Sequence, residues 1–306
     1  MSSTYARALS AAAAAASGQD YPPGALYVVA TPIGNLADIT LRALHVLALA
    51  DTVACEDTRH TQALLRAYGI DKPAAQLLAV HEHNETQAAE ELVRRMGQGQ
   101  RVAYVSDAGT PAVSDPGARL VAATLAAALP VVPLPGASSV TAALSVAGLA
   151  DDDPAAGGFV FVGFLPSKAG ERTTAVAALA QQPRAVVLLE APHRIEALAD
   201  ALAVLGDRAI TVGRELTKQF EQIVQLPAAG FAPWLAGDPN RRRGEFVLVL
   251  HPAPVPADSG RDTRVLKLLL AELPLKTAVR LAAEITGAAR NGLYETALAL
   301  KNSPLD

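Results

Sequence analysis

The sequence predicts an α/β protein of two α/β domains followed by a small helical module. Three observations carry that prediction. Short apolar, β-branched runs alternate with helical patterns through the first half, which implies a mainly parallel sheet with right-handed crossovers. The alternation resumes after residue 158, but EQIVQL and GEFVLVL have no crossover-length helix between them, so the second sheet is expected to be mixed, with antiparallel pairing at that end. Beyond HPAPVPADSG only helical periodicity remains, as in a helix-turn-helix module.

Taken in order, residues 1–24 include SAAAAAASG, one arginine and no leucine-rich apolar core or cleavage signal, and read as a disordered tail rather than a signal peptide. The first domain, 25–150, opens with a strand, Ala25 to Thr31, ended by Pro32 and Gly34. Thr40 caps a helix to about Ala50. Strand TVACED, helix HTQALLRAYG and strand QLLAVH follow, then a helix from Asn84, which makes a capping box with Gln87. The central unit runs from Arg101 to Leu129. Val102 to Val105 form a buried strand, Asp115 is the expected N-cap and Pro116 the first helical residue, and Leu120, Val121, Thr124, Leu125 and Ala128 share one helix face. Strand VVPLP and a helix capped by Ser138 or Ser139 complete the domain.

DDDPAAGG, residues 151–158, reads as a linker. The second domain, 151–252, has strands FVFVGFLP, AVVLLE, AITVGREL, EQIVQL and GEFVLVL, with helices KAGERTTAVAALAQQ and PHRIEALADALAVLG. Residues 253–306 carry three helical stripes: Leu266, Leu269, Leu270 and Leu273; Val279, Ala282, Ala283 and Ile285, stopped by Gly287; and Leu293, Tyr294, Ala297 and Leu298. That module suits either nucleic-acid reading or packing and dimerisation.

Composition narrows the function. With 51% hydrophobic and 18% charged residues among 306 the chain is of the soluble globular class, and no apolar run is long enough to cross a bilayer. The single cysteine, Cys55, excludes an internal disulfide and suits a reducing, cytoplasmic compartment. A net charge of −4 means that a nucleic-acid partner must be met by a local patch. There is no G-x-G-x-x-G after the first strand and no P-loop, G-x-S-x-G or H-E-x-x-H. Polar residues gather instead where the first-domain strands end: Glu56, Asp57, Thr58 and Arg59; His81, Glu82, His83 and Asn84; Ser106, Asp107 and Thr110; Ser138 and Ser139. Carboxyl ends of parallel strands point the same way, so these loops converge with Pro32–Gly34 on one rim, where α/β sheets bind ligands. His81 and His83 lack a converging carboxylate at ligand spacing, so no metal is expected.

LYVVATPIGNLADIT, ACEDTRHT, HEHNE, YVSDAGTPAVSDPG, PLPGASS, FVGFLP, LLEAPHR, GREL and GEFVLVL occur in this order. Together they resemble the tetrapyrrole-methylase superfamily and, within it, the branch of ribosomal RNA small subunit methyltransferase I, whose C-terminal helix-turn-helix the last helices also resemble. The resemblance implies S-adenosylmethionine bound between two α/β domains of a homodimer. Its motifs put cofactor contacts at Ile33 and Gly34, at Gly109, Thr110, Pro111, Ala112 and Val113, at Ser138 and Ser139, at Leu165 and at Glu245. The implied reaction is methylation of a cytidine 2′-hydroxyl in the decoding region of 16S rRNA, with the RNA or the small ribosomal subunit as partner. A ribose hydroxyl is a poor nucleophile at neutral pH, so a proton acceptor is required. Glu56, Asp57 and His83 are the candidates, with Arg59 and Asn84 orienting ribose or phosphate. Capping of the following helix is an equal reading for Glu56 or Asp57 taken alone. His193 and Arg194 either meet RNA or merely start a helix, and Arg241 to Arg243 are a phosphate-contact candidate or a solvated face. A tetrapyrrole C-methylase and a non-catalytic ribosome-binding protein are the competing functions.

Overall fold

The computed structural model describes residues 5–81, 84–114, 116–149, 158–253, 259–288 and 290–302. In the first half, β1 (Leu26–Val29), β2 (Thr52–Cys55), β3 (Leu77–Ala79), β4 (Val102–Val105) and β5 (Val131–Leu134) form one sheet in the order β3-β2-β4-β1-β5. Every pairing in it is parallel. Parallel strands are covered on both faces, which is why β2 and β4 are buried at every position. Side chains alternate between two cores. Tyr27, Val29, Val53, Cys55, Ala103 and Val105 belong to one core, with α2 (Leu41–Leu49) and α3 (Thr58–Ala67). Leu26, Ala54, Val102 and Tyr104 belong to the other, with α4 (Glu85–Gly97) and α5 (Ala118–Ala126).

Four local expectations are corrected. The segment expected to be a disordered tail contains α1 (Ala6–Ala16), which packs against α2 with Ala12 and Ala16 buried in the first core. Alanine side chains let the two helices approach closely, and Tyr5 adds an edge contact to Tyr68, ring centroids 5.4 Å apart. Pro116 is not helical, since α5 starts at Ala118 after Gly117, and the expected cap Asp115 lies outside the described residues. Glu85 of α4 does that work from across the core: its carboxylate accepts from the amides of Gly117 and Arg119 at 2.9 and 3.2 Å, placing a negative charge at the positive end of the helix. Of the expected α5 face, Leu120 and Thr124 are buried but Leu125 is exposed. Asn84 precedes α4 without capping it; its side chain accepts from His81 N–H and donates to the carbonyl of Ala79.

The second sheet contains β6 (Phe159–Phe164), β7 (Ala185–Glu190), β8 (Ala209–Arg214), β9 (Gln222–Pro227) and β10 (Phe246–Leu250) in the order β6-β7-β10-β8-β9. Only β6 and β7 pair parallel; the other neighbours are antiparallel, so the sheet is mixed as expected. One face packs against α7 (Ala169–Leu179), α8 (Ile195–Leu202) and α9 (Phe231–Ala236). The opposite face is covered by the last helix of the first half, α6 (Ser139–Val146). Val140, Ala143 and Ala147 meet Ala185, Val187, Val247 and Val249 in one apolar cluster that joins the two halves. Residues 151–157 of the expected linker lie outside the described residues.

At the C-terminus, α10 (Ser259–Glu272), α11 (Leu275–Thr286) and α12 (Arg290–Asn302) enclose a small core of Leu266, Val279, Ala282, Leu293 and Ala297. Ile285, Tyr294 and Leu298, expected in the apolar stripes, are exposed instead. Among the described residues no helix is long and apolar enough to cross a membrane.

Burying a carboxylate inside the α1–α2 contact should be costly. Ala12→Asp is expected to destabilise the protein by about 2–4 kcal/mol and to lower Tm measured by circular dichroism. An unchanged Tm would mean that α1 does not pack in solution.

Candidate active site between the two domains

The carboxyl edge of the first sheet faces the second domain, and the loops there are tied by backbone as much as by side chains. The loop after β1 and the loop after β4 interlock: Thr31 and Gly109 exchange both amide–carbonyl bonds, at 2.9 and 3.0 Å. Thr110 Oγ1 donates to the carbonyl of Ala137, which ties the central loop to the one after β5. Gly109 sits at φ +83°, and a Cβ there would lie 3.2 Å from Ile33 Cγ2. Ala112 adopts φ 63°, a left-handed conformation that a non-glycine residue holds only under constraint.

A cleft opens above these loops, with walls from both halves. One part is lined by Ile33, Ala108, Ser139, Phe164, Leu189, Glu215, Lys218, Glu245 and Val247. It continues over Gly109, Thr110, Val113, Ser138 and Phe161. An adjoining cavity is lined by Pro32, Gly34, Leu36, His60, Leu64, Asp107 and, again, Ile33 and Lys218. Of the expected cofactor contacts, Ile33, Gly34, Gly109, Thr110, Val113, Ser138, Ser139 and Glu245 are therefore assembled around one cleft. Pro111 and Ala112 shape the central turn beside it. Leu165 is different: its side chain is buried in the second-domain core, its carbonyl accepts from Arg194, and the neighbouring Phe164 lines the cleft.

The acidic rim is a linked group. Glu56 Oε1 accepts from the amide of Asp107 at 3.4 Å, and Asp107 Oδ1 accepts from the amide of Asp57 at 3.3 Å. Asp57 also caps α3, accepting from the amides of Arg59 and His60, and pairs with the Arg59 guanidinium at 3.0 Å. The bonds from Arg59, and then the other α3 amide, hold the Asp57 carboxyl at about 2. Arg59 is 90% exposed beyond that pair, so it faces solvent at the rim. Burial pushes the neighbouring Cys55 thiol up to about 11, leaving it inert at neutral pH. Asn84 spends both polar ends within its own turn, and His83 lies outside the described residues.

On the second-domain wall, Glu215 Oε1 accepts from Lys218 Nζ at 2.6 Å and from the amide of Glu245 at 2.9 Å. Burial alone would raise the Glu215 carboxyl; the Lys218 bond and the Glu245 amide outweigh it and bring it below its ordinary value. Two other basic candidates, Arg194 and Arg241, turn inward. Arg194 lies 3.0 Å from buried Glu190 and donates to Leu165. Arg241 stacks on Trp234, 4.7 Å from the ring centroid, and donates to its carbonyl. Arg242 pairs with Glu196 at 3.2 Å. Arg242, despite that pair, and Arg243 remain exposed. Among the described residues no three His, Cys, Asp or Glu side chains gather as a metal site.

Comparison with known proteins places this geometry. Residues 25–232 match the family of Tetrapyrrole (Corrin/Porphyrin) Methylases, and residues 256–301 match the RsmI C-terminal HTH domain. The chain is 48% identical over 286 residues to ribosomal RNA small subunit methyltransferase I of Escherichia coli O157:H7, covering 91% of this chain and 96% of that one. The chain belongs to that family. Its counterpart in Neisseria meningitidis serogroup A is 49% identical over 283 residues, covering 91% and 94%. Solved tetrapyrrole methylases share the fold at lower identity. The cobalamin biosynthetic enzyme cobalt precorrin-4 methyltransferase aligns with TM-score 0.54 at 19% identity over 76% of this chain and 98% of that chain. Uroporphyrin-III C-methyltransferase of Thermus thermophilus, solved with S-adenosyl homocysteine, aligns with TM-score 0.50 at 20% identity over 73% and 96%.

Phe161, Phe164, Leu189, Leu216, Val247 and Lys218 are cleft residues that sequence reasoning did not single out. FVGFLP, LLEAPHR and GREL contain or adjoin most of them, so a signal was present; Lys218 lies outside every motif. The Asp57 carboxylate gives a pH test. Its folded value is depressed below 3.8, so its stabilising effect is present above about pH 4 and lost as pH falls toward 2. The stability difference between wild type and Asp57→Ala, measured by urea unfolding, should stay constant from pH 7 to about pH 5 and shrink below about pH 4. A difference that grows on acidification would contradict the capping geometry.

Proposed function

We propose that this chain is an S-adenosylmethionine-dependent 2′-O-methyltransferase acting on a cytidine in the decoding region of 16S rRNA, as a homodimer in the cytoplasm. The observation that carries the reading is the two-domain cleft in a chain 48% identical to a ribosomal RNA small subunit methyltransferase I over nearly all its length. The cleft residues fit the cofactor. Ile33, Phe164, Leu189 and Val247 offer apolar walls for a flat adenine, while Ser139, Thr110 and close-packed backbone offer hydroxyl and amide partners for ribose and amino-acid groups. The missing Cβ of Gly109, beside Ile33, keeps the floor open. A fold relative solved with S-adenosyl homocysteine supports the same choice.

When bound, S-adenosylmethionine supplies an electrophilic methyl group. The chain's task is to hold the ribose hydroxyl in line and to take its proton. Glu56 is the preferred acceptor: half-buried at the rim and oriented by the Asp107 amide. Asp57 is a poorer base, because its carboxylate is committed to α3 and Arg59 and titrates at about 2. His83 is the competing acceptor, and Arg59 is positioned to meet ribose or phosphate.

The deciding experiment incubates small subunits from a strain lacking this protein with pure protein and radiolabelled S-adenosylmethionine, then maps the label by alkaline hydrolysis, which 2′-O-methylation blocks. Label at one alkali-resistant cytidine is expected. Label absent from RNA but present on a porphyrinogen would favour tetrapyrrole methylation, and no cofactor binding at all would favour a non-catalytic ribosome-binding protein. Gly109→Val is expected to abolish S-adenosylmethionine binding in isothermal titration while keeping the circular dichroism spectrum; unchanged affinity would contradict the cofactor site. Glu56→Gln is expected to lower kcat about 10²- to 10⁴-fold with cofactor affinity unchanged, and a full-rate variant would transfer the role to His83. Light scattering should give twice the 31.6 kDa chain mass; a monomer would refute the dimer.

A further inference from the structure

The loop between β8 and β9, residues 215–221, is held more rigidly than an exposed connection requires. Glu215 and Thr217 are non-glycine residues in the left-handed region, at φ 51° and 68°, and such residues persist only where their surroundings over-determine them. The constraints are visible. Arg214, buried at the end of β8, donates to the carbonyls of Arg243, Asn240 and Phe220 and to Gln222 Oε1, stapling the loop to the 239–243 turn. Thr217 N–H donates to Glu221 Oε2 at 2.6 Å. Two glycines from opposite sides leave the space its side chains fill. A Cβ on Gly244 would lie 2.3 Å from Glu215 Cγ, and one on Gly34 would lie 2.3 Å from Lys218 Cγ.

This frame presents two groups that packing alone does not explain. Lys218 is laid across the first-domain Gly34 loop and lines both the main cleft and the adjoining cavity with His60 and Asp107. Its ammonium has three donor hydrogens; among the described residues its hydrogen-bond partner is Glu215, so donors remain for an incoming anion. Two residues on, the Phe220 side chain is 68% exposed although its carbonyl is pinned by Arg214. A chain of net charge −4 must meet a polyanion through such local cations, and an exposed aromatic ring on a held backbone is a stacking platform for an unpaired base.

We propose that loop 215–221 is the RNA-positioning element of the site: Lys218 binds the phosphate beside the target ribose and Phe220 stacks on a neighbouring base. The assignment rests on the RNA-methyltransferase reading above. It makes the adjoining cavity the entrance for the nucleotide.

The test uses the full-length protein and small subunits from a strain lacking it, with particle binding measured separately from methyl transfer. Lys218→Ala is expected to weaken particle binding and raise KM severalfold, to lower the slope of log affinity against log salt by about one, and to leave S-adenosylmethionine affinity unchanged. Lys218→Arg should recover most of the binding, which a purely packing role would not predict. Phe220→Ala should weaken binding about tenfold without changing the salt slope. Equal binding by wild type and both alanine variants would overturn the proposal. Loss of S-adenosylmethionine affinity in Lys218→Ala would reassign that cation to the cofactor carboxylate, and a changed mass in Phe220→Ala would make the ring an interface between copies. A wild type that binds particles without methylating them would overturn the reaction proposed above while leaving the loop's binding role intact.

Discussion

The cleft depends on one apolar contact, the seating of α6 on the second sheet. This helix ends the first parallel sheet's chain of crossovers, yet Val140, Ala143 and Ala147 are buried against Ala185, Val187, Val247 and Val249 from the other domain. Each buried valine there is worth about 1.5–3 kcal/mol and each alanine methyl about 0.8 kcal/mol, so the joint is an energetic unit rather than a loose hinge. Thr211 Oγ1 reinforces it by donating to the carbonyl of Ala147 at 3.3 Å. Because Ser139 opens the same helix and faces the cleft, the packing that joins the domains also sets the spacing between the Ile33 floor and the Leu189–Val247 wall.

The floor itself is made of backbone. Thr31 and Gly109 bind each other reciprocally, and Thr110 holds the third loop through Ala137. Fixed amides and carbonyls cost no side-chain ordering when a ligand arrives, which suits a site whose task is orientation. Charge is arranged differently at the rim. Glu56, Asp57 and Asp107 cluster there, and Arg59 and Lys218 are the nearby cations, each already sharing a carboxylate. Coupling cations to acids in this way keeps a weakly acidic protein from presenting a bare negative face to RNA.

Much of this was legible in residue order. The short apolar runs at Val102–Val105 and Ala185–Glu190 could be little but buried strands, and the absence of a crossover helix before GEFVLVL implied the antiparallel pairing seen for β8, β9 and β10. Other features were not legible, for identifiable reasons. Alanine gives no apolar–polar contrast, so α1 looked like a tail although Ala12 is fully buried. The cap of α5 comes from Glu85, more than thirty residues upstream, where no local cap pattern points. Along β6 the register shifts between Phe161 and Gly163; a shift of one residue exchanges sheet faces, which is why Phe164 and not Leu165 faces the cleft. Arg194 and Arg241 read as surface charge, but long side chains can turn inward to carbonyls and an indole ring.

The sequence by itself determined the two-sheet plan, the helical appendage, the loops that converge on the parallel sheet's rim and the residue types available there. These follow from periodicity and from Gly, Pro and hydroxyl placement, which act over a few residues. The tertiary structure alone decided which side of the cleft each residue serves and that Lys218 reaches Gly34 from the other domain. Those outcomes depend on contacts between segments more than a hundred residues apart, and close packing selects among them only once both domains are in place.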